Sequence, residues 1–131
     1  MKYICFGYLD VPAWSQLSPE EQNARIDACF AYDAELKRNG NWAGGEGLQG
    51  PETAAMVRFD QGRVTVTDGP YAETKELLGG LLMLEARDLN HAIQLISNHP
   101  GVTMGPWEIR PAADLTEMIR ASEARRRLAT H

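Results

Sequence analysis

Residues 2–9 (KYICFGYL) carry β-branched, aromatic and aliphatic side chains at both alternating positions. That pattern predicts a strand buried on both faces, not a half-exposed edge. Asp10 to Leu17 reads as a connector. Ser18-Pro19-Glu20-Glu21 follows, where Ser18 caps, Pro19 takes the first helical position and Glu21 completes a capping box. Ile26, Cys29, Phe30 and Leu36 then recur at helical spacing, and a basic Lys37-Arg38 turn precedes the stop at Gly40. The pattern predicts a helix from Pro19 to Asn39.

The glycine-rich segment Asn41 to Gly50 (NWAGGEGLQG) predicts a loop or a bulged strand. Ala54–Phe59 and Arg63–Thr67 predict two strands joined through Asp60-Gln61-Gly62, a hairpin signal. Asp68 to Glu76 is polar and turn-like, and Leu77–Glu85 is an apolar run of strand length interrupted by Gly79-Gly80. Asp88 caps a second helix over Leu89–Asn98, with Ala92, Ile93 and Ile96 on one face and Pro100-Gly101 ending it. Trp107–Arg110 predicts a last short strand. Asp114 opens a C-terminal helix that ends in Arg125-Arg126-Arg127, a basic terminus suited to the helix dipole.

This order makes the chain one domain of the α+β class: a ferredoxin-like split βαβ sandwich with an antiparallel sheet and an added hairpin, extended by residues 114–131. Two helices cover one face of such a sheet, yet Lys2–Leu9 and Leu77–Leu84 are apolar on both faces. The second face is therefore expected to be covered by an identical subunit, making a homodimer packed sheet to sheet.

Composition narrows the function classes. The 131 residues include 13 Lys+Arg against 18 Asp+Glu, a net charge of −5, and 44% are hydrophobic. An acidic balance argues against a duplex-binding module, so no direct nucleic-acid partner is expected. Two cysteines exclude a disulfide scaffold. The longest apolar stretch, residues 77–84, falls far short of the roughly 20 needed to span a bilayer, so no membrane partner is expected. Met1-Lys2-Tyr3 runs straight into the first strand, without the charged lead and cleavage site of a secretory signal. A cytoplasmic location is the expectation.

Gly45-Glu46-Gly47-Leu48-Gln49-Gly50 matches the spacing G-x-G-x-x-G, but Pro51-Glu52 and a strand follow it where a dinucleotide site needs a helix N-terminus. Glu46 would also repel phosphate. A bulged strand that lets a backbone or ligand approach closely explains the glycines better. No His-x-His, His-x-x-x-His or Cys-x-x-Cys spacing supports a zinc site, so no metal or cofactor is expected. Cys5 and Cys29 fall on apolar faces and read as small core residues. Asp68-Gly69-Pro70 forces a tight turn before Tyr71, Glu73, Lys75 and Glu76, groups able to exchange protons or bind anions.

Asp33 sits on the apolar stripe of the first long helix, three residues after Phe30 and three before Leu36. A carboxylate there is either a paired core acid or a pocket wall, because an unpaired buried charge is costly. Trp42, Glu46, Asp68 and Arg110 belong to segments expected to border one cleft between helix and sheet edge. Arg110 would neutralise a carboxylate or clamp an anion there. His91 is expected to face solvent and His131 to be terminal. His99, before Pro100, either gains from the helix terminus or acts as a general base.

The run Asp68-Gly69-Pro70-Tyr71-Ala72-Glu73-Thr74-Lys75-Glu76, followed by Leu78-Gly79-Gly80, closely resembles the signature of the YCII-related, or DGPF-domain, family. Tyr71 stands where that family usually has phenylalanine. Gly44-Gly45-Glu46-Gly47-Leu48 and Glu108-Ile109-Arg110-Pro111 look like the family's other recurring blocks, and the resemblance covers residues 1–113. It implies a ferredoxin-like dimeric α/β barrel. It implies no particular reaction; members are often encoded near extracytoplasmic-function sigma factors. An enzyme-like branch of the family is associated with a His–Asp pair, whose histidine has no evident counterpart at a matching motif.

Two functional readings follow. In the first, a cleft performs acid–base chemistry on a small polar molecule, with Asp68 or His99 as base and Tyr71 as proton donor. Asp33, Trp42, Glu46, Glu73, Lys75 and Arg110 would bind the substrate. In the second, the same cleft holds a ligand without turnover, in a regulatory module linked to transcription.

Overall fold

The computed structural model describes residues 1–69 and 75–130. The N-terminal apolar run forms β1 (Lys2–Asp10), and its alternation is resolved by depth. Tyr3, Cys5 and Gly7 are buried toward the helices, while Ile4, Phe6 and Tyr8 are half-buried on the opposite face. A short helix, α1 (Val11–Ser15), occupies the expected connector, with the Asp10 carboxylate accepting from the Ala13 N–H.

The capping box opens α2 (Pro19–Arg38): Ser18 Oγ accepts from the Glu21 N–H, and the Glu21 carboxylate accepts from the Ser18 N–H, each at 3.1 Å. Hydrogen bonds to the carboxylate from Ser18, its backbone N–H first and its side chain second, hold the Glu21 carboxyl below its ordinary value. The stripe along α2 is not uniformly core. Leu36 is buried, but Ile26 is partly exposed and Phe30 is 69% exposed.

After α2 come β2 (Trp42–Gly47), a 3-10 turn, β3 (Ala55–Asp60), β4 (Arg63–Asp68) and β5 (Glu76–Glu85). The chain ends through α3 (Leu89–Ser97), a 3-10 turn at Pro100–Met104, β6 (Trp107–Pro111) and α4 (Thr116–Ala129). The main sheet runs β2-β5-β1-β6 with every neighbour antiparallel. Helix α2 carries the chain from β1 to edge strand β2, and α3 carries it from β5 to edge strand β6. Two interleaved βαβ halves on an antiparallel sheet make this a ferredoxin-like α+β fold.

The core lies between sheet and helices, where Tyr3, Cys5, Leu82 and Leu84 meet Leu36, Ala92 and Ile96. The Tyr32 hydroxyl donates to the Leu95 carbonyl at 2.7 Å and ties α2 to α3. Strands β3 and β4 form a separate two-stranded ribbon in which Val57 opposes Val66 and Phe59 opposes Val64. Those four side chains are between 64% and 77% exposed. Among the described residues, no helix is long and apolar enough to cross a membrane.

Burial pushes the Cys5 thiol from its ordinary 9.0 up to about 11. The fold thus favours the protonated thiol. Its contribution to stability is complete below pH 9, where the unfolded chain keeps that proton too, and is lost as pH rises toward 11. Denaturant titrations across this interval should show a steeper loss of stability in the wild-type protein than in Cys5→Ala.

Candidate active site

The sheet opens a bay under α2 because side chains are missing at one of its rungs. Gly47 pairs with Gly80, Gly80 with Gly7, and Gly7 with Trp107, so three adjacent strands present glycine side by side. The rung beneath it is fully substituted on β5, β1 and β6, by Leu82, Cys5 and Ile109. Each indole beside the bay lies against a glycine. A Cβ on Gly7 would come within 2.7 Å of the Trp107 ring, and one on Gly45 within 2.8 Å of the Trp42 ring. Gly47 is different: a Cβ there would meet nothing within 4 Å. The resulting cleft has a volume of about 410 Å³.

His99 stands at the wall of this cleft, where α3 gives way to the 3-10 turn. Its ring is only 6% exposed and hydrogen-bonded at both nitrogens. The Gly101 N–H donates to Nδ1 at 2.9 Å, and Nε2 lies 2.9 Å from Asp33 Oδ1 on α2. Because Nδ1 is an acceptor, the ring proton is assigned to Nε2, which donates to the carboxylate. Tyr32 meets the imidazole edge-on at 5.2 Å and Trp107 lies tilted at 5.3 Å, which fixes the ring plane. Gly101 permits the approach, since a Cβ there would be 2.9 Å from Nδ1.

Asp33 is the more open partner. Its side chain is 21% exposed, and Oδ2 has no hydrogen-bond partner among the described residues. A carboxylate held through one oxygen, with the other free at a cleft, is built to accept a proton or a hydrogen bond. Cys29 also lines the cleft; burial first, and the Asp33 charge second, raise its thiol above the ordinary value. A thiol shifted that way is protonated near neutrality and is a poor nucleophile.

The cleft gathers three of the residues singled out from the sequence, Asp33, Trp42 and His99, while Glu46 borders it on β2 but pairs with Leu81 and so turns its side chain to the opposite face of the sheet. Three others lie elsewhere. Asp68 ends β4 on the separate ribbon. Lys75 is exposed, with Nζ 4.0 Å from Asp10 Oδ2. Arg110 does not clamp an anion in the cleft: alternation along β6 sends Trp107 and Ile109 toward the helices and Arg110 to the opposite face. There its guanidinium pairs with Glu108 and lies 5.9 Å from the Phe6 ring centre. Tyr71 and Glu73 fall outside the described residues. His91 is half-buried, and its Nδ1 accepts from the Arg87 N–H. Among the described residues, no three His, Cys, Asp or Glu side chains gather as a metal site.

The Asp33–His99 pair itself joins residues 66 apart in sequence. The partial signals were the acid on an apolar stripe and the histidine before Pro-Gly. The roles of Gly7, Gly47, Gly80 and Gly101 needed the strand register and the turn geometry.

A protein of Rhizobium meliloti (strain 1021) described as uncharacterized protein R00369 is 29% identical over 115 residues, covering 86% of this chain and 93% of the relative. Among solved structures, 5-chloro-2-hydroxyhydroquinone dehydrochlorinase from Burkholderia phenoliruptrix AC1100, in complex with 2,5-dihydroxybenzoquinone, is 17% identical. The match covers 86% of this chain and 94% of that one, with a TM-score of 0.48. The model of the YCII-related domain matches residues 1–116, nearly the whole chain. The protein belongs to the YCII-related domain family.

Proposed function

We propose that the cleft is an active site for acid–base chemistry on a small polar molecule, in which Asp33 takes the substrate proton and His99 positions it. The observation that carries this reading is the His99 ring, bonded at both nitrogens beside a 410 Å³ cleft while Asp33 keeps Oδ2 open. His99 has no free nitrogen with which to act as the base. Asp33 has a free oxygen, and the Nε2–H bond sets its orientation. The proton leaves an acidic O–H or C–H of the substrate and becomes the O–H of the Asp33 carboxyl. The electron pair stays on the substrate as an enolate-like anion, and return of the proton at another atom completes an isomerisation or elimination.

Thermal-shift screening of small carbonyl, enol and phenol compounds should find binders that stabilise the fold by mass action. In deuterium oxide the wild-type protein should exchange the acidic proton of a bound hit. Asp33→Asn should slow that exchange at least about 100-fold while still binding the compound. Exchange that persists in Asp33→Asn contradicts the reading. A wild-type protein that binds a hit without exchanging it acts as a ligand-binding module instead.

We also propose that the working unit is a cytoplasmic homodimer packed through the sheet face opposite the helices. Ile4, Phe6, Leu81 and Met83 support this: they are apolar, adjacent in register and covered by neither α2 nor α3. Sedimentation at micromolar concentration should give a dimer, and Phe6→Glu should shift it toward monomer without loss of helix signal. A wild-type monomer sinks the proposal.

A further inference from the structure

Two elements stand off the core, and each keeps an apolar face exposed. In the β3–β4 ribbon, the cross-strand pairs Val57–Val66 and Phe59–Val64 share one face, while Arg58–Thr65 and Asp60–Arg63 share the other. A lone two-stranded ribbon is marginal in water unless such an apolar face is covered. Helix α4 has no buried residue, although Leu115, Met118 and Ile119, 47% to 68% exposed, line one side at its start. A helix of 14 residues is equally marginal by itself. The total surface gives the scale of what is uncovered. The chain exposes 9507 Å², whereas a compact monomer of 14.5 kDa exposes roughly 6,900 Å². The surplus of about 2,600 Å² is on the scale that one chain hides in a large, permanent homodimer.

Topology separates the two elements within one chain. The Leu48 N–H donates to the Gly79 carbonyl and the Gly69 N–H to the Ala54 carbonyl, so the ribbon leaves the sheet where β2 ends and β5 begins. Helix α4 follows β6, whose end is tied to the start of β1 through the Ala112 N–H and the Lys2 carbonyl. In an antiparallel sheet ordered β2-β5-β1-β6, those two points are diagonally opposite corners. A two-fold axis along the other diagonal crosses the strands of two copies at near right angles. It brings the ribbon corner of each copy to the α4 corner of its partner.

We infer that the apolar face of each ribbon docks on helix α4 of a second copy, so that the two chains embrace reciprocally. The inference rests on the homodimer reading above and adds a contact that reading does not contain. The two faces match in order as well as in character. Phe59 and Val64 lie near the ribbon tip, and Asp68 closes the same face at its base, about 13 Å from Val64 along the strand. On α4, Met118 and Ile119 are followed on the same side by Ser122 and Arg126, the last about 11 Å beyond Ile119. Arg126 Nε donates to Ser122 Oγ at 3.2 Å and so lies along that side. Apolar end meets apolar end, and Asp68 meets Arg126 of the partner subunit. The helix carries four arginines against two glutamates in a chain of net charge −5, so an acidic second copy attracts it.

Isotope-filtered NOE spectra of a dimer mixed from labelled and unlabelled chains test the contact directly. The methyls of Val64 and Val66 in the labelled chain should show cross-peaks to Met118 and Ile119 of the unlabelled one. Phe59→Glu and Ile119→Glu should each raise the dimer dissociation constant at least about tenfold. Asp68→Arg should weaken the dimer as well, and adding Arg126→Asp should restore it. A dimer without those interchain cross-peaks, a dimer as tight in Phe59→Glu and Ile119→Glu as in wild type, or no recovery in the charge exchange would each overturn the inference and leave the sheet-to-sheet dimer standing. A wild-type monomer overturns both.

Discussion

One imidazole holds the site together. His99 is nearly excluded from solvent, accepts from the Gly101 N–H and meets Asp33 across the helix pair. Burying an imidazole and a carboxylate side by side is costly unless each finds partners, and here every ring nitrogen does. The arrangement requires α2 and the end of α3 to keep a fixed separation, which the Tyr32–Leu95 hydrogen bond and the shared core around Leu36 and Ile96 provide. It also requires the 3-10 turn after Pro100, because that turn brings the Gly101 amide back onto Nδ1. The fold therefore supplies an oriented carboxylate with one oxygen left open.

The glycines act in the opposite sense, by removing material. Gly7 and Gly45 let two indoles lie close against the sheet, and Gly101 lets backbone approach the imidazole. Gly47 and Gly80 leave that rung of the sheet without side chains. A ferredoxin-like sheet packed with branched side chains at that rung would have a continuous core and no cleft. The apolar surplus noticed along the chain is consequently not distributed evenly. Part of it fills the core, part forms the uncovered sheet face, and part stands exposed on the β3–β4 ribbon.

Much of the fold was legible in the sequence because its signals are local. The Ser18–Glu21 capping box, the Asp88 cap and the alternation in β1 each depend on residues a few positions apart. The site was only half legible. Asp33 could be singled out by its position on an apolar stripe, but its partner lies 66 residues away and is chosen by helix packing. Arg110 drew attention as a strand-borne cation. The β6 register, which no local pattern fixes, turned it to the far face beside Glu108. The glycine run around Gly45 reads as a bulged strand open to a backbone or a ligand, and the fold sets the Trp42 ring against Gly45.

The most direct test of the central claim, that His99 is a donor positioning Asp33 and not itself the base, is the tautomer of its ring. Long-range proton–nitrogen correlation spectra of the uniformly labelled protein distinguish a protonated ring nitrogen from a bare one. The structure predicts neutral His99 with the proton on Nε2 and a bare, hydrogen-bonded Nδ1. A neutral ring carrying its proton on Nδ1 would contradict it, because Nε2 would then face Asp33 as an acceptor and the carboxylate would lose the bond that orients it.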